Sequence, residues 1–133
     1  MSAKPFLDTN VIVYAFTKDD PRSKRADALL RAGGINSVQV LNELVGVSRR
    51  KLGLDWTAVE RQRGVLFELL EPPIPLTLAL HQMGVTLMQR YGFSIYDSLV
   101  IAAALQAQCP LLYSEDMQHG QVIEGMTIHN PFV

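Results

Sequence analysis

The sequence predicts an α/β fold in which a central parallel sheet is covered by helices on both faces. Short apolar segments of strand character alternate along the chain with segments of helical spacing, which is typical of parallel sheets joined by crossover helices. Residues 99–105 are apolar throughout, which predicts a helix that packs on more than one side. Acids follow two predicted strands, and ligands bind at that edge of open α/β sheets.

Length and composition favour one compact domain over residues 1–133. Apolar residues make up 48% of the chain and charged residues 19%, which suits a folded protein rather than a disordered one. No apolar run approaches the roughly 18 residues of a membrane span, and the N-terminus does not resemble a signal peptide. The single cysteine, Cys109, excludes an intramolecular disulfide and a cysteine-based zinc site. We therefore expect a cytoplasmic protein without membrane contact, with Cys109 as a buried thiol.

The elements of the first part of the chain follow from its apolar runs and breaks. Residues 5–8 predict a buried strand that ends at Leu7 or Asp8, followed by a short helix. Residues 19–21, Asp-Asp-Pro, predict the start of a second helix, which ends at the Gly33-Gly34 pair. Residues 35–36 are a candidate for a very short second strand.

Four polar residues predict the starts of the remaining helices. These predicted N-caps are Ser37, Asp55, Thr77 and Ser94. The helix after Ser37 is expected to reach about residue 52, and the helix after Thr77 to reach residues 91–92. Residues 74–76, 110–113 and 126–129 are the remaining candidate strands.

Four acids stand out by their positions. Asp8 and Asp116 follow predicted strands, Glu43 lies on or beside the inward face of its helix, and Asp97 lies in the first turn of the most apolar helix. Each has a simpler interpretation. Asp8 would cap a helix, Asp97 would form a capping box with Ser94, Asp116 would shape a turn, and Glu43 would meet an arginine.

Convergence of these four acids would require a cation. Carboxylates at close range repel one another strongly in a low dielectric. A site made of oxygen ligands alone, without cysteine or paired histidines, suits Mg²⁺ or Mn²⁺ rather than zinc. Such a site activates water for in-line attack on a phosphodiester. The net charge of −1 does not indicate nucleic-acid binding, although the chain outside the four acids is net positive.

The ordered set of motifs resembles the PIN-domain nucleases, and most closely the VapC-type toxins of bacterial toxin–antitoxin pairs. The segments that carry the resemblance are Leu7-Asp8-Thr9-Asn10, Glu43, residues 96–104 and residues 112–117. The resemblance implies a PIN-like three-layer sandwich with a central parallel sheet of four to five strands. It also implies Mg²⁺- or Mn²⁺-dependent cleavage of RNA, a homodimer, and a VapB-type antitoxin as partner.

Site residues are carried over from the family by position. The resemblance implies that the catalytic and metal-binding residues are Asp8, Glu43, Asp97 and Asp116, supported by Thr9, Asn10 and Ser114. Asp116 is preferred over the adjacent Glu115 because it takes the acidic place in the Ser-x-Asp pattern. The function predicted is that of a metal-dependent endoribonuclease, the toxin of a type II toxin–antitoxin system.

Two other functions that suit this fold each need a residue that the chain lacks. A phosphoacceptor module of the receiver type needs a lysine after its last strand, and no lysine follows Lys51. A haloacid-type phosphatase needs an aspartate at position 10, where this chain has Asn10. The alternative that stays open is a non-catalytic binding module of the same fold, whose acidic pocket holds a basic peptide or partner.

Overall fold

A computed structural model describes residues 4–133 and contains a mixed four-stranded sheet with six helices. The strands are β1 (Phe6–Leu7), β2 (Leu111–Tyr113), β3 (Val122–Ile123) and β4 (Met126–His129). The helices are α1 (Thr9–Ala15), α2 (Ser23–Ala32), α3 (Val38–Arg50), α4 (Trp56–Leu69), α5 (Leu78–Tyr91) and α6 (Ile95–Gln106). The predicted α/β class is confirmed.

The order of the strands is β1-β2-β4-β3, and the sheet is not parallel throughout. β1 pairs with β2 and β2 pairs with β4 in parallel, whereas β3 pairs with β4 antiparallel. The prediction of a wholly parallel sheet was therefore wrong for the edge strand β3, whereas the predicted last strand, β4, pairs in parallel with β2. The reason is local: Glu124 and Gly125 both have positive φ, of 48° and 88°, and such a pair reverses the chain into a tight hairpin.

Two predicted strands are present only as single bridges. Ile35 pairs with Phe6, and Ser37 pairs with Ile74, both in parallel. These contacts continue the sheet beyond β1. Gly34 permits the first of them, because a Cβ atom there would lie 2.7 Å from the carbonyl oxygen of Pro5.

The predicted helix starts are mostly confirmed by side-chain caps. Ser37, Asp55, Thr77 and Ser94 each accept a hydrogen bond from the backbone N–H three residues later. The start of α2 was predicted wrongly, because the helix begins at Ser23 rather than at residues 19–21. There Asp20 accepts the Arg22 N–H at 2.8 Å, which forms a turn before the helix.

The hydrophobic core surrounds β1, β2 and α6. Residues 100–104 are five consecutive buried positions of α6, as expected for a helix packed on more than one side. Cys109 is buried, as predicted, and burial raises the pKa of its thiol to about 11. Within residues 4–133, none of the helices combines the length and apolar character that a membrane span needs. The fold thus leaves the carboxyl ends of β1 and β2 as the edge on which side chains from α1, α3 and α6 meet.

Candidate active site

The four candidate acids come from four separate parts of the chain and interact electrostatically. Asp8 follows β1, Asp116 lies in the loop after β2, Glu43 lies in α3 and Asp97 in the first turn of α6. The charges of Glu43 and Asp97 both act on Asp8, and the charges of Glu43 and Asp116 act on Asp97. The structure therefore brings all four predicted site residues to one edge of the sheet.

Asp8 is the most buried member of this group, with 4% of its surface exposed. Its Oδ1 accepts the Thr9 backbone N–H at 2.7 Å, and its Oδ2 accepts the Ser114 hydroxyl at 2.8 Å. Asp8 is thus the N-cap of α1 as well as a member of the acidic cluster. The pKa of its carboxyl is raised to about 7, mainly because the group is buried. The two hydrogen bonds lower this pKa, and the negative charges of Glu43 and Asp97 raise it further.

Asn10 links two of the acids through one amide. Its Nδ2 donates to Asp116 Oδ2 at 3.1 Å and to Asp8 Oδ2 at 3.3 Å. Its Oδ1 accepts the backbone N–H of Glu115 at 3.0 Å, so the loop that carries Asp116 is fastened to α1. This contact fixes the loop after β2 relative to the end of β1.

Glu43 is held from two sides. The Thr9 hydroxyl donates to its Oε1 at 2.7 Å, and Gln39 Nε2 donates to its Oε2 at 3.0 Å. Glu43 meets no arginine within residues 4–133, so that simpler interpretation was wrong. Gln39 was missed from the sequence, although it lies four residues before Glu43 and therefore on the same helix face. The structure thus places Thr9, Asn10 and Ser114 against carboxylates; their part in catalysis stays a prediction.

Asp97 is the member of the cluster without a partner for its side chain. Ser94 caps α6 by accepting the Asp97 backbone N–H at 3.1 Å, but the half-buried Asp97 carboxylate accepts no hydrogen bond within residues 4–133. Burial raises the pKa of this carboxyl, and the charges of Glu43 and Asp116 raise it further. A desolvated carboxylate among like charges is suited to receive a cation.

Glu115 binds Arg22 and Tyr14, whereas the adjacent Asp116 binds Asn10 beside the acidic cluster. Arg22 Nη1 contacts both Glu115 carboxylate oxygens, at 3.0 and 3.2 Å, and the Tyr14 hydroxyl donates to Oε1 at 2.6 Å. The Arg22 guanidinium also lies 4.0 Å from the centre of the Tyr14 ring. Tyr14 thus makes a polar contact beside the site. No local pattern indicates this network, because its members are distant along the chain.

The donor set fits a hard divalent cation in its chemistry, since every candidate ligand is a carboxylate oxygen. The positions of these side chains, in contrast, do not form a complete metal site. Within the described part of the chain, no group of three or more His, Cys, Asp or Glu side chains is placed to hold a metal ion. Thr9, Asn10 and Gln39 instead satisfy carboxylate oxygens by hydrogen bonding.

Comparison of the fold with solved structures gives relatives at low sequence identity. VapC20 of Mycobacterium tuberculosis, described as a toxin that cleaves the sarcin-ricin loop, is 19% identical, with 84% of this chain and 89% of that chain covered and a TM-score of 0.71. A toxin–antitoxin complex from Klebsiella pneumoniae contains a chain 20% identical, with coverages of 96% and 97% and a TM-score of 0.72. VapBC2 from Rickettsia felis, bound to a DNA fragment from its promoter, contains a chain 22% identical, with coverages of 95% and 97% and a TM-score of 0.68.

Comparison by sequence gives the family. No curated protein matches the chain. The family model that matches is that of the PIN domain, over residues 6–123. This match covers most of the chain and includes all four candidate acids. The fold, the order of the motifs and the family match agree, and the chain belongs to the PIN domain family.

Proposed function

We propose that this protein is a metal-dependent endoribonuclease that hydrolyses phosphodiester bonds of RNA, formed by one domain over residues 1–133. The observation that carries the proposal is the convergence of Asp8, Glu43, Asp97 and Asp116 at one edge of the sheet. Four acids from four parts of the chain have no structural need to meet, because their mutual repulsion opposes folding. A catalytic use explains why they meet.

The metal would be Mg²⁺ or Mn²⁺, held by these four carboxylates directly or through water. When bound, such an ion activates water for attack on the phosphodiester and stabilises the leaving oxygen. The partnerless Asp97 carboxylate and the buried Asp8 carboxylate are the donors that would gain most from its charge. The candidate ligands stand in a range of environments, from buried Asp8 to exposed Asp116, so the site is open to substrate on one side.

The neutral polar residues would orient the acids. Ser114 and the Thr9 backbone fix Asp8, the Thr9 hydroxyl and Gln39 fix Glu43, and Asn10 fixes Asp116. Each of these contacts would orient a carboxylate, which is the contribution that supporting residues make to metal sites.

In the cell, we propose that the protein is the toxin of a type II toxin–antitoxin pair. Two of the structural neighbours are parts of toxin–antitoxin complexes, and the likeness extends over 95% or more of this chain in both. A VapB-type antitoxin would place an arginine or lysine against the acidic cluster. A homodimer and a cytoplasmic location belong to the same proposal.

One observation favours a second candidate function, a binding module without catalysis. Carboxylate oxygens of Asp8, Glu43 and Asp116 accept hydrogen bonds from neutral side chains, and no three ligands are placed for a metal within residues 4–133. An acidic pocket in this state would hold a basic peptide.

Cleavage of a labelled single-stranded RNA by the purified protein distinguishes these functions. The proposal predicts cleavage in Mg²⁺ or Mn²⁺, none in EDTA, and a loss of at least about a hundredfold in Asp8→Asn and Asp97→Asn. Glu68→Gln, which neutralises an exposed acid of α4, is the matched control and should cleave normally. Cleavage by Asp8→Asn at the wild-type rate would contradict the nuclease assignment. Metal binding without cleavage of a broad RNA pool would favour the binding module.

A further inference from the structure

A groove of about 440 Å³ extends from the acidic cluster along α1 and α3. Its two ends differ in charge. One end is formed by Asn10, Glu43 and Asp116, and the other by Arg50, Lys51 and Leu52. A ligand that fills this groove therefore meets carboxylates at one end and cations at the other.

The two cations of the groove are exposed and not neutralised. Neither Arg50 nor Lys51 forms an ion pair within residues 4–133. Arg50 Nε donates instead to the carbonyl oxygen of Gly46, at 3.3 Å. Arg22 and Arg90, in contrast, each bind a carboxylate. The groove thus has charge available for an anionic ligand.

The Arg50 guanidinium lies against Gly46 of the preceding helical turn. A Cβ atom at this position would lie 2.8 Å from Arg50 Nη2, so the guanidinium lies against the bare backbone of α3. Glycine inside a helix is less favourable than alanine, and Gly46 does not have a positive φ, so the backbone does not require it. A side chain at this position would therefore require the exposed Arg50 guanidinium to shift.

An exposed aromatic ring lies at the first residue of α4. Trp56 is 57% exposed, and the Arg49 guanidinium lies 4.5 Å from the centre of its indole ring. Arg49 is fixed in this position because its Nη1 donates to the carbonyl oxygen of Leu54, at 2.8 Å. Trp56 does not line the groove itself; it follows Lys51 and Leu52 by four to five residues along the chain. A ring that is held by a guanidinium and has more than half of its surface exposed is the kind of platform on which proteins stack single-stranded bases.

We propose that Arg50, Lys51 and Trp56 form a binding subsite for single-stranded RNA that flanks the acidic cluster. Arg50 and Lys51 contact backbone phosphates of the strand that leaves the cluster, and Trp56 stacks on a base. The proposal rests on the proposed function and names the residues that hold its substrate. A basic antitoxin segment is the less suited occupant of this end, because Arg50 and Lys51 would repel it.

The test is the affinity for a fluorescein-labelled single-stranded RNA, measured by anisotropy in an Asp8→Asn background, so that the RNA stays intact. Arg50→Gln and Lys51→Gln should each weaken binding by roughly three- to tenfold and lower the slope of log K against log salt by ~0.7, the contribution of one phosphate contact on a single strand. Arg90→Gln is the matched control. It removes one positive charge at α5, where Arg90 binds Glu124 in the β3–β4 turn away from the cluster, and binding should change less than twofold.

Two further variants test the remaining elements. Trp56→Ala should weaken binding by about tenfold with little change in the salt slope, because stacking releases no counterions. Gly46→Ala should raise the unfolding temperature, since alanine favours the helix, yet weaken RNA binding because it displaces Arg50. A variant that is more stable and binds less well is not explained by misfolding.

The outcomes separate this proposal from the proposed function. RNA binding that depends on Arg50 and Lys51, together with a wild-type protein that cleaves no member of a broad RNA pool in Mg²⁺ or Mn²⁺, supports the subsite and overturns the nuclease. Arg50→Gln and Lys51→Gln that bind RNA as tightly as the control overturn the subsite, whatever the wild type cleaves. Loss of antitoxin binding in these variants with RNA affinity intact would assign the groove to the protein partner and overturn the proposal.

Discussion

The buried carboxylate of Asp8 should make the metal-free protein less stable as the pH rises. The pKa of this carboxyl is about 7 in the fold and about 3.8 without the fold. Between these values the folded protein keeps a proton that the unfolded chain has released, so the free energy of unfolding falls from about pH 4 and levels off above pH 7. A difference of about three pKa units lowers the free energy of unfolding above pH 7 by roughly 4 kcal/mol. This is a large share of the total free energy of unfolding of a domain, which is about 5–15 kcal/mol.

Asp8→Asn removes this penalty. The amide oxygen still accepts the Thr9 N–H, and the charge among Glu43 and Asp97 is gone. The new amide N–H₂ group no longer accepts the Asn10 N–H, so the gain in stability is smaller than the full penalty. In EDTA at pH 8, urea unfolding should therefore show the variant to be more stable than the wild type by about 2–4 kcal/mol, with a difference near zero at pH 4. Glu68→Gln is the control for loss of one acidic charge at an exposed site and should match the wild type at both pH values.

A divalent cation should reverse the order of stability. On the proposed function, Mg²⁺ would bind the folded site alone and would stabilise the wild type by mass action, whereas Asp8→Asn would lack one of the proposed ligands and should respond little. Equal stability of wild type and Asp8→Asn at pH 8 in EDTA would refute the reasoning, because it would mean that Asp8 is not desolvated.

Three further substitutions test other parts of the structure. Glu115→Gln should retain RNA cleavage within about tenfold, whereas Asp116→Asn should lose at least about a hundredfold, since only Asp116 is placed with the cluster; equal losses would contradict this distinction. Ser48→Ala should lower the free energy of unfolding by about 1–3 kcal/mol in urea, because it leaves the buried amide oxygen of its α4 partner without a donor; no change would show that water replaces the hydroxyl. Gly34→Ala should lower the unfolding temperature, because its Cβ would press against a backbone carbonyl, whereas Gly64→Ala in α4 meets nothing within 4 Å and should raise it; the same shift in both would refute the close approach.

The parts of the fold that the sequence predicts well are those fixed by local interactions. Ser37, Asp55, Thr77 and Ser94 cap helices because each accepts an N–H only three residues away. The start of α2 was missed because Asp20 uses its carboxylate in a turn with Arg22 rather than as a helix cap.

The sheet was predicted less well because pairing is a long-range property. β3 has only two residues, so alternation along it is too short to recognise, and its antiparallel pairing follows from the turn at Glu124 and Gly125. Ile35 and Ile74 were predicted as strands and form single bridges, because the chain touches the sheet at one residue in each place.

The candidate site was predictable as a set of acids and not as a geometry. Asp8 and Asp116 follow from their positions after strands. The choice between Asp116 and Glu115 gains physical support only from Arg22, which is 93 residues away along the chain and holds Glu115. Gln39 was missed, although it lies four residues before Glu43 on the same helix face and donates a hydrogen bond to it.

Binding of Mn²⁺ to the purified protein, followed by calorimetry with electron paramagnetic resonance of the free ion, tests most directly whether the four carboxylates form one cation site. The account predicts that the wild type binds Mn²⁺, that Asp8→Asn and Asp97→Asn lose this binding, and that Glu68→Gln keeps it. Cleavage of RNA in EDTA by a wild type that binds no Mn²⁺ would contradict the account, because the cluster would then act without the cation that explains it.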